Sequence, residues 1–195
     1  LFCEVVIVNF VQPIRDPQMV EAIRQYFKVR NFRNYIFFSL GVYSGLRVSD
    51  LLNLKVGQVR GSHIDIVESK TKKRKRFIIH PSIRADLDFF IRDMQDHEYL
   101  FQSRQRKKHT GFAGRPIDRS TAYKMLREAA DHFGLTDIGT HTMRKTWGYH
   151  LYMQDPRNLA LLMRMFNHTS ETVTLMYLGL TQDLMDSAIR RLKYA

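Results

Sequence analysis

His141, Arg144 and Lys145 set an imidazole, a guanidinium and an amine within five consecutive positions. A guanidinium grips a phosphate through two parallel hydrogen bonds and never loses its charge, whereas an imidazole exchanges a proton near neutral pH. Together they suit chemistry at a phosphoryl centre. Read as a helix, Gly139 to Leu151 gathers these three groups at its first turns and places Met143, Trp147, His150 and Leu151 at three- and four-residue spacings, the expected inward stripe. A His-x-x-Arg in isolation more often marks a solvated helix surface. Its meaning therefore rests on what the rest of the chain supplies.

Three other places could contribute. Arg47 falls in a turn after Gly45, at the start of a short helix over Ser49 to Leu54, where free backbone N–H groups favour an anion. The run from Lys70 to Arg76 holds six Lys or Arg in seven residues: Lys70, Lys72, Lys73, Arg74, Lys75 and Arg76. A second basic stretch, from Gln102 to Arg115, carries Arg104, Arg106, Lys107, Lys108 and Arg115 without any apolar period, and reads as a loop that a phosphate backbone would order. By themselves His168 reads as a capping or half-buried histidine and Tyr177 as a packing aromatic, since a phenol titrating near about 10 is a poor nucleophile without help.

The elements that must position these groups are mostly helices. Asp16-Pro17 starts one, with Met19, Val20, Ile23 and Phe27 at helical spacing; Phe32 to Ser44 is apolar on nearly every face, as a central buried helix would be, and Gly45 stops it. Ile64 and Ile66 alternate with polar neighbours, and Phe77, Ile78 and Ile79 follow the basic run, which predicts a β-hairpin tipped almost wholly by positive charge. Further helices are expected from Pro81, with Ile83, Leu87, Phe90 and Ile91 inward; over Asp118 to Phe133, ended by Gly134; from Asp155-Pro156, with Leu159, Leu162, Met163 and Phe166; and over 182–193, amphipathic. The fold class is α+β, mainly α-helical with one small sheet.

Length and composition bound the rest. The 195 residues suit one sizeable core, taken as residues 16–195, with 1–15 as a leader or the remnant of a linker from an upstream domain. A net charge of +12, with 31 Lys and Arg against 19 Asp and Glu, points to a polyanionic partner, nucleic acid first and an anionic membrane surface second. One cysteine, Cys3, excludes an intrachain disulfide and fits a reducing compartment, and no Cys/His cluster has zinc spacing. The apolar start is too short and too interrupted to span a bilayer.

The order and spacing of these groups resemble the catalytic domain of the tyrosine recombinases, the phage-type integrases. Ser44-Gly45-Leu46-Arg47-Val48-Ser49-Asp50-Leu51 is similar to the family's first arginine segment, Ser69-Lys70-Thr71-Lys72-Lys73 to its hairpin lysine, His141 to Arg144 to its His-x-x-Arg helix, and Phe166-Asn167-His168-Thr169-Ser170 to its Leu-Gly-His-x-Ser turn, with Tyr177 nine residues beyond His168 where the nucleophile stands. Two departures are Lys145 at a position often held by histidine, and Phe166-Asn167 in place of Leu-Gly.

The resemblance implies a site-specific recombinase. Tyr177 would attack phosphorus to give a 3′-phosphotyrosyl bond, Arg47, Arg144 and His168 would stabilise the developing charge, His141 would act as general base or supporting donor, and Lys70 would protonate the leaving 5′-oxygen. Asp50 and Lys145 take supporting roles, and Lys72, Lys73, Arg74, Lys75, Arg76 and the loop cations contact backbone. No metal or other cofactor is implied. The partners would be double-stranded DNA and other copies of the chain, in a tetrameric synapse, in the cytoplasm of a bacterium or the host of a phage. A non-catalytic DNA-binding module and a type IB topoisomerase-like relaxase are the other functions this pattern allows.

Overall fold

The computed structural model describes residues 11–103 and 114–193. Arg104, Arg106, Lys107 and Lys108 of the basic loop lie outside these residues, as does nearly all of the apolar start. Helix α1, Pro17–Arg30, opens where Asp16 caps it: the Asp16 carboxylate accepts from Gln18 N at 2.8 Å, and Pro17 takes the first helical position. Helix α2, Phe32–Ser44, is buried from Tyr35 through Val42 and packs mainly against α1, α4 (Pro81–Ile91) and α6 (Thr142–Gln154). It is the axis of the main core. Gly45 ends α2 with φ +62, and a Cβ there would lie 2.3 Å from the Trp147 ring, so both conformation and space demand glycine.

Helix α3, Val48–Leu52, follows, with Arg47 at its N-cap. Strands β1, His63–Val67, and β2, Arg74–Ile78, pair antiparallel in the register Ile64↔Phe77 and Ile66↔Lys75. Ile64, Ile66 and Phe77 are buried, and Lys75 shares their face because side chains alternate along a strand. The basic tip is shorter than expected: half of the basic run is strand, the turn spans Glu68 to Lys73 and keeps Lys70, Lys72 and Lys73, and Ile79 lies beyond the strand while remaining buried.

Helix α5, Arg119–His132, is capped by Asp118 and followed by Gly134 at φ +67. Helices α7, Leu159–Phe166, and α8, Glu171–Leu178, then form a second, smaller cluster with α6 around Tyr152, Leu162, Phe166, Leu178 and Leu180. A 3₁₀ turn at Pro156–Asn158 precedes α7, so Asp155-Pro156 caps that turn and not the helix itself. Helix α9, Thr181–Arg191, closes the chain, shorter at its end than expected, and leaves Leu184, Met185, Ile189 and Leu192 exposed. Among the described residues, no helix is long and apolar enough to cross a membrane.

The expected inward stripe of α6 is wrong in detail. Of its four members only Met143 is buried, while Trp147, His150 and Leu151 are half-buried; the interior residues are Thr142, Met143, Arg144, Lys145, Thr146, Gly148 and Tyr152. The helix is wedged between α2 and the α7–α8 pair, so two opposite faces are covered. Gly41 makes room for Met143, and Gly148 for Phe166 and Leu178.

Candidate active site

The first turn of α6 delivers Arg144 to the seam between the two clusters. It is 4% exposed, donates from Nη1 to Gly45 O at 2.5 Å and from Nη2 to Met165 O at 3.1 Å, and lies 4.8 Å over the Phe166 ring. Both carbonyls are ends of helices, where backbone acceptors lack intrahelical partners and carry partial negative charge. Met165 O also accepts from Lys75 Nζ. Two cations thus share one helix C-terminus.

Arg47, at the start of α3, extends to the hairpin and donates from Nη1 to Glu68 Oε1 at 2.5 Å. Asp50, 5% exposed, lies 4.0 Å from that nitrogen and accepts from Ser69 N at 2.8 Å, so it anchors the root of the hairpin turn as well as facing Arg47. Glu68, absent from the sequence-derived set, is 1% exposed and has its second oxygen held by Thr71 Oγ1 at 2.5 Å and Asn167 Nδ2 at 3.1 Å. Burial opposes its charge, but the hydrogen bond from Thr71, the cations of Arg47 and Lys75 and the bond from Asn167 outweigh it and hold the carboxyl below its ordinary pKa.

The turn between α7 and α8 supplies the next group. Asn167 takes the left-handed conformation, φ +60, which a glycine would otherwise fill and which asparagine tolerates better than most residues. The departure from Leu-Gly thus keeps the turn and adds the bond to Glu68, while Phe166 supplies the ring beneath Arg144. His168 Nδ1 lies 3.1 Å from Thr174 Oγ1, and that hydroxyl donates its single hydrogen to Ser170 O at 3.1 Å. The hydroxyl must therefore accept from His168, which puts the proton on Nδ1 and leaves Nε2 as acceptor in the neutral ring. Burial, then Arg144 and Arg47, lowers the His168 pKa.

Tyr177, on α8, is half-buried between these parts. Its hydroxyl lies 3.4 Å from His141 Nδ1, at the outer edge of a hydrogen bond, and its ring packs edge-on against His168 at 5.3 Å and Phe166 at 5.0 Å. Burial raises the phenol pKa while Arg144 and Arg47 pull it down; partial desolvation and then the cations Arg119, Arg144, Lys145 and Arg47 lower that of His141. The pair therefore sits as a protonated phenol beside a neutral imidazole. Lys145 is 5% exposed, its ammonium lies 5.0 Å over the Tyr177 ring, and burial lowers its pKa to about 8.

The structure brings together Arg47, Asp50, His141, Arg144, Lys145, His168 and Tyr177 of the sequence-derived set. Lys70 does not join them: it is exposed in the hairpin turn, as are Lys72 and Lys73, while Arg74 and Arg76 point outward from β2 and Arg115 is exposed where the chain returns from the loop. Lys75, counted from sequence among the backbone-contacting cations, instead turns inward, 3.5 Å from Glu68. Burial lowers its pKa; Glu68 opposes that, and Arg144 and Arg47 add to it. The signal for Lys75 was available, since it stands two residues before the inward Phe77. Beside it, a basic cleft of about 660 Å³ opens between β2 and α7, lined by Lys73, Arg74, Arg76, Arg164 and His168.

The phage integrase family model matches residues 15–183 of the chain. A probable integrase/recombinase of Bacillus subtilis, YoeC, is 40% identical over 183 residues, which are 93% of this chain and 97% of the relative. A tyrosine recombinase of Pseudothermotoga lettingae is 26% identical over 200 residues, covering 94% of this chain and 66% of the relative. The chain therefore spans nearly all of the first and under two thirds of the second. Among solved structures, the crystal structure of XerA recombinase overlays with a TM-score of 0.70 at 21% identity, over 94% of this chain and 66% of that one, and XerH bound to a palindromic difH substrate in a post-cleavage complex with 0.65 at 18%, over 92% and 53%.

Proposed function

The chain belongs to the phage integrase family, the tyrosine recombinases, and on that premise we propose that it binds double-stranded DNA and breaks and rejoins its strands through a covalent 3′-phosphotyrosyl intermediate. The observation that carries this reading is the convergence of Arg47, His141, Arg144, His168 and Tyr177, spread over 131 positions of sequence, around one phenol whose hydroxyl lies 3.4 Å from an imidazole nitrogen. A DNA-binding module alone would leave this convergence without a role.

In the proposed reaction the Tyr177 oxygen attacks phosphorus and its proton passes to His141 Nδ1, as geometry and the opposed pKa directions permit. Negative charge then grows on the non-bridging oxygens. Arg144, immobilised by two carbonyls, and Arg47, immobilised by Glu68, supply fixed positive charge that needs no reorganisation. His168, once Nε2 has taken a proton from solvent beside the anionic phosphate, donates a further bond. The P–O5′ bond breaks and the leaving oxygen takes a proton from Lys70, carried to the DNA by the hairpin turn. A 5′-hydroxyl from a second strand reverses these steps on a new partner. The resulting exchange conserves the bond energy in the phosphotyrosyl link, and residues 16–195 form the catalytic unit. Assembly of copies into a tetrameric synapse follows from the need to exchange strands between two duplexes.

The test is incubation with nicked duplex carrying a candidate attachment site, followed by denaturing electrophoresis, for the native chain and Tyr177→Phe. A denaturant-stable adduct on the 3′ side of the break that is lost in the variant is expected. Duplex binding without any adduct across several sites would move the protein to a non-catalytic DNA-binding role.

A further inference from the structure

A carboxylate stripped of water is costly unless its lone pairs and its charge are both answered. Glu68 answers them with groups from three separate parts of the chain. Oε1 meets Arg47 at 2.5 Å and Lys75 at 3.5 Å, and Oε2 meets Thr71 at 2.5 Å and Asn167 at 3.1 Å. It therefore ties the start of α3, both arms of the hairpin and the turn that carries His168. Without it Arg47, Lys75 and Arg144 would face each other with only Asp50, 4.0 Å from Arg47, to offset their repulsion. Because both oxygens are engaged and the side chain is 1% exposed, an incoming phosphate has no route to displace it. Arg47 donates to no other acceptor among the described residues, so its remaining N–H groups stay available for two phosphate oxygens.

We propose that Glu68 is a positioning residue of the strand-cleavage reaction, holding the Arg47 guanidinium and the Lys75 ammonium in the geometry that the scissile phosphate requires. The inference rests on the recombinase reading above. It predicts a separation of binding from chemistry: loss of the carboxylate leaves the site more cationic, which does not weaken phosphate binding, but frees Arg47 to move.

The experiment measures covalent-adduct formation in single turnover on nicked duplex, across a range of DNA concentrations, for the native chain, Glu68→Gln, Glu68→Asp, Arg47→Ala and Glu68→Gln/Arg47→Ala. Glu68→Gln is expected to slow adduct formation at saturating DNA by about 10–100-fold, with the half-saturating DNA concentration within about threefold of native. In the Arg47→Ala background the same substitution should add less than about threefold, because the two groups act as a unit. Glu68→Asp, which keeps the charge, should recover part of the loss. An unchanged saturated rate, or a full multiplicative loss in the Arg47→Ala background, overturns the proposal. Should the native chain bind DNA and form no adduct, the recombinase reading fails by itself, and nuclear relaxation of the Arg47 Nε–H group in the free protein decides the positioning role. A guanidinium ordered in the native chain and mobile in Glu68→Gln upholds it; equal order in both overturns it.

Discussion

Gly45 joins the two arginines of the site, because its left-handed backbone ends α2 one residue before Leu46-Arg47 and its carbonyl accepts from Arg144. Gly45→Ala perturbs it in two separable ways. A side chain at φ +62 costs about 1–2 kcal/mol. The new Cβ would also stand 2.3 Å from Trp147 Cε3 and 2.5 Å from Cδ2, atoms of a rigid ring packed edge-on against Phe166. Relieving that overlap costs about another 1–3 kcal/mol. The whole effect is then about 2–5 kcal/mol, which for a chain of this size lowers the thermal midpoint by about 4–20 °C. Gly134→Ala is the internal control, since φ there is +67 but nothing lies within 4 Å of its Cβ. It should show the conformational cost alone. Trp147→Leu in the Gly45→Ala background should recover the packing part and leave the rest. Thermal and urea unfolding followed by circular dichroism read all four proteins. If Gly45→Ala proves no more destabilising than Gly134→Ala, the close approach of α2 and α6 at this point is refuted, and with it the argument that the Gly45 carbonyl is fixed for Arg144.

Three other outcomes are expected. Lys145 has a folded pKa of about 8 against an ordinary 10.5, so between these values the unfolded chain binds more protons and its contribution makes stability rise with pH. From pH 8 to 9.5 that contribution is about 1–2 kcal/mol in urea unfolding, and it should vanish in Lys145→Met; an identical pH slope in both proteins removes the burial argument. Replacing Lys72, Lys73, Arg74 and Arg76 together by Gln should flatten the dependence of DNA affinity on salt by up to about 0.9 in logarithmic slope for each phosphate no longer neutralised, with Lys75 left in place because it faces the interior; an unchanged slope takes the hairpin off the DNA. Lys70→Ala should slow adduct formation by about 10²–10⁴-fold, and a bridging 5′-sulfur in the DNA should restore the rate because a thiolate leaves without a proton. If the sulfur instead rescues Lys75→Ala, the inward lysine is the acid.

Much of the local structure was legible because its causes are local. Asp16-Pro17, Asp118, Gly45 and Gly134 each satisfy or break a helix end through a side chain or a φ value that only neighbours in sequence influence. The apolar girth of Phe32 to Ser44 likewise announced a helix covered all round. The sequence determined which residue types could carry phosphoryl chemistry, and their order along the chain. It could not determine which charges lie inside. Lys75 reads as a backbone-contacting cation, and nothing local marks Arg144 or Lys145 as interior, because charge ordinarily avoids burial. Only the tertiary structure offers what makes the burial of Arg144 and Lys75 tolerable: the C-terminal carbonyl of Met165, the carbonyl of Gly45, and for Lys75 a carboxylate that is itself held by Asn167, ninety-nine positions away. Those partners share no local period with the groups they serve. Compensation of a buried charge is a long-range property, and so the site's cations could be named from the sequence while their orientation, and the place of Glu68 among them, were decided by the fold.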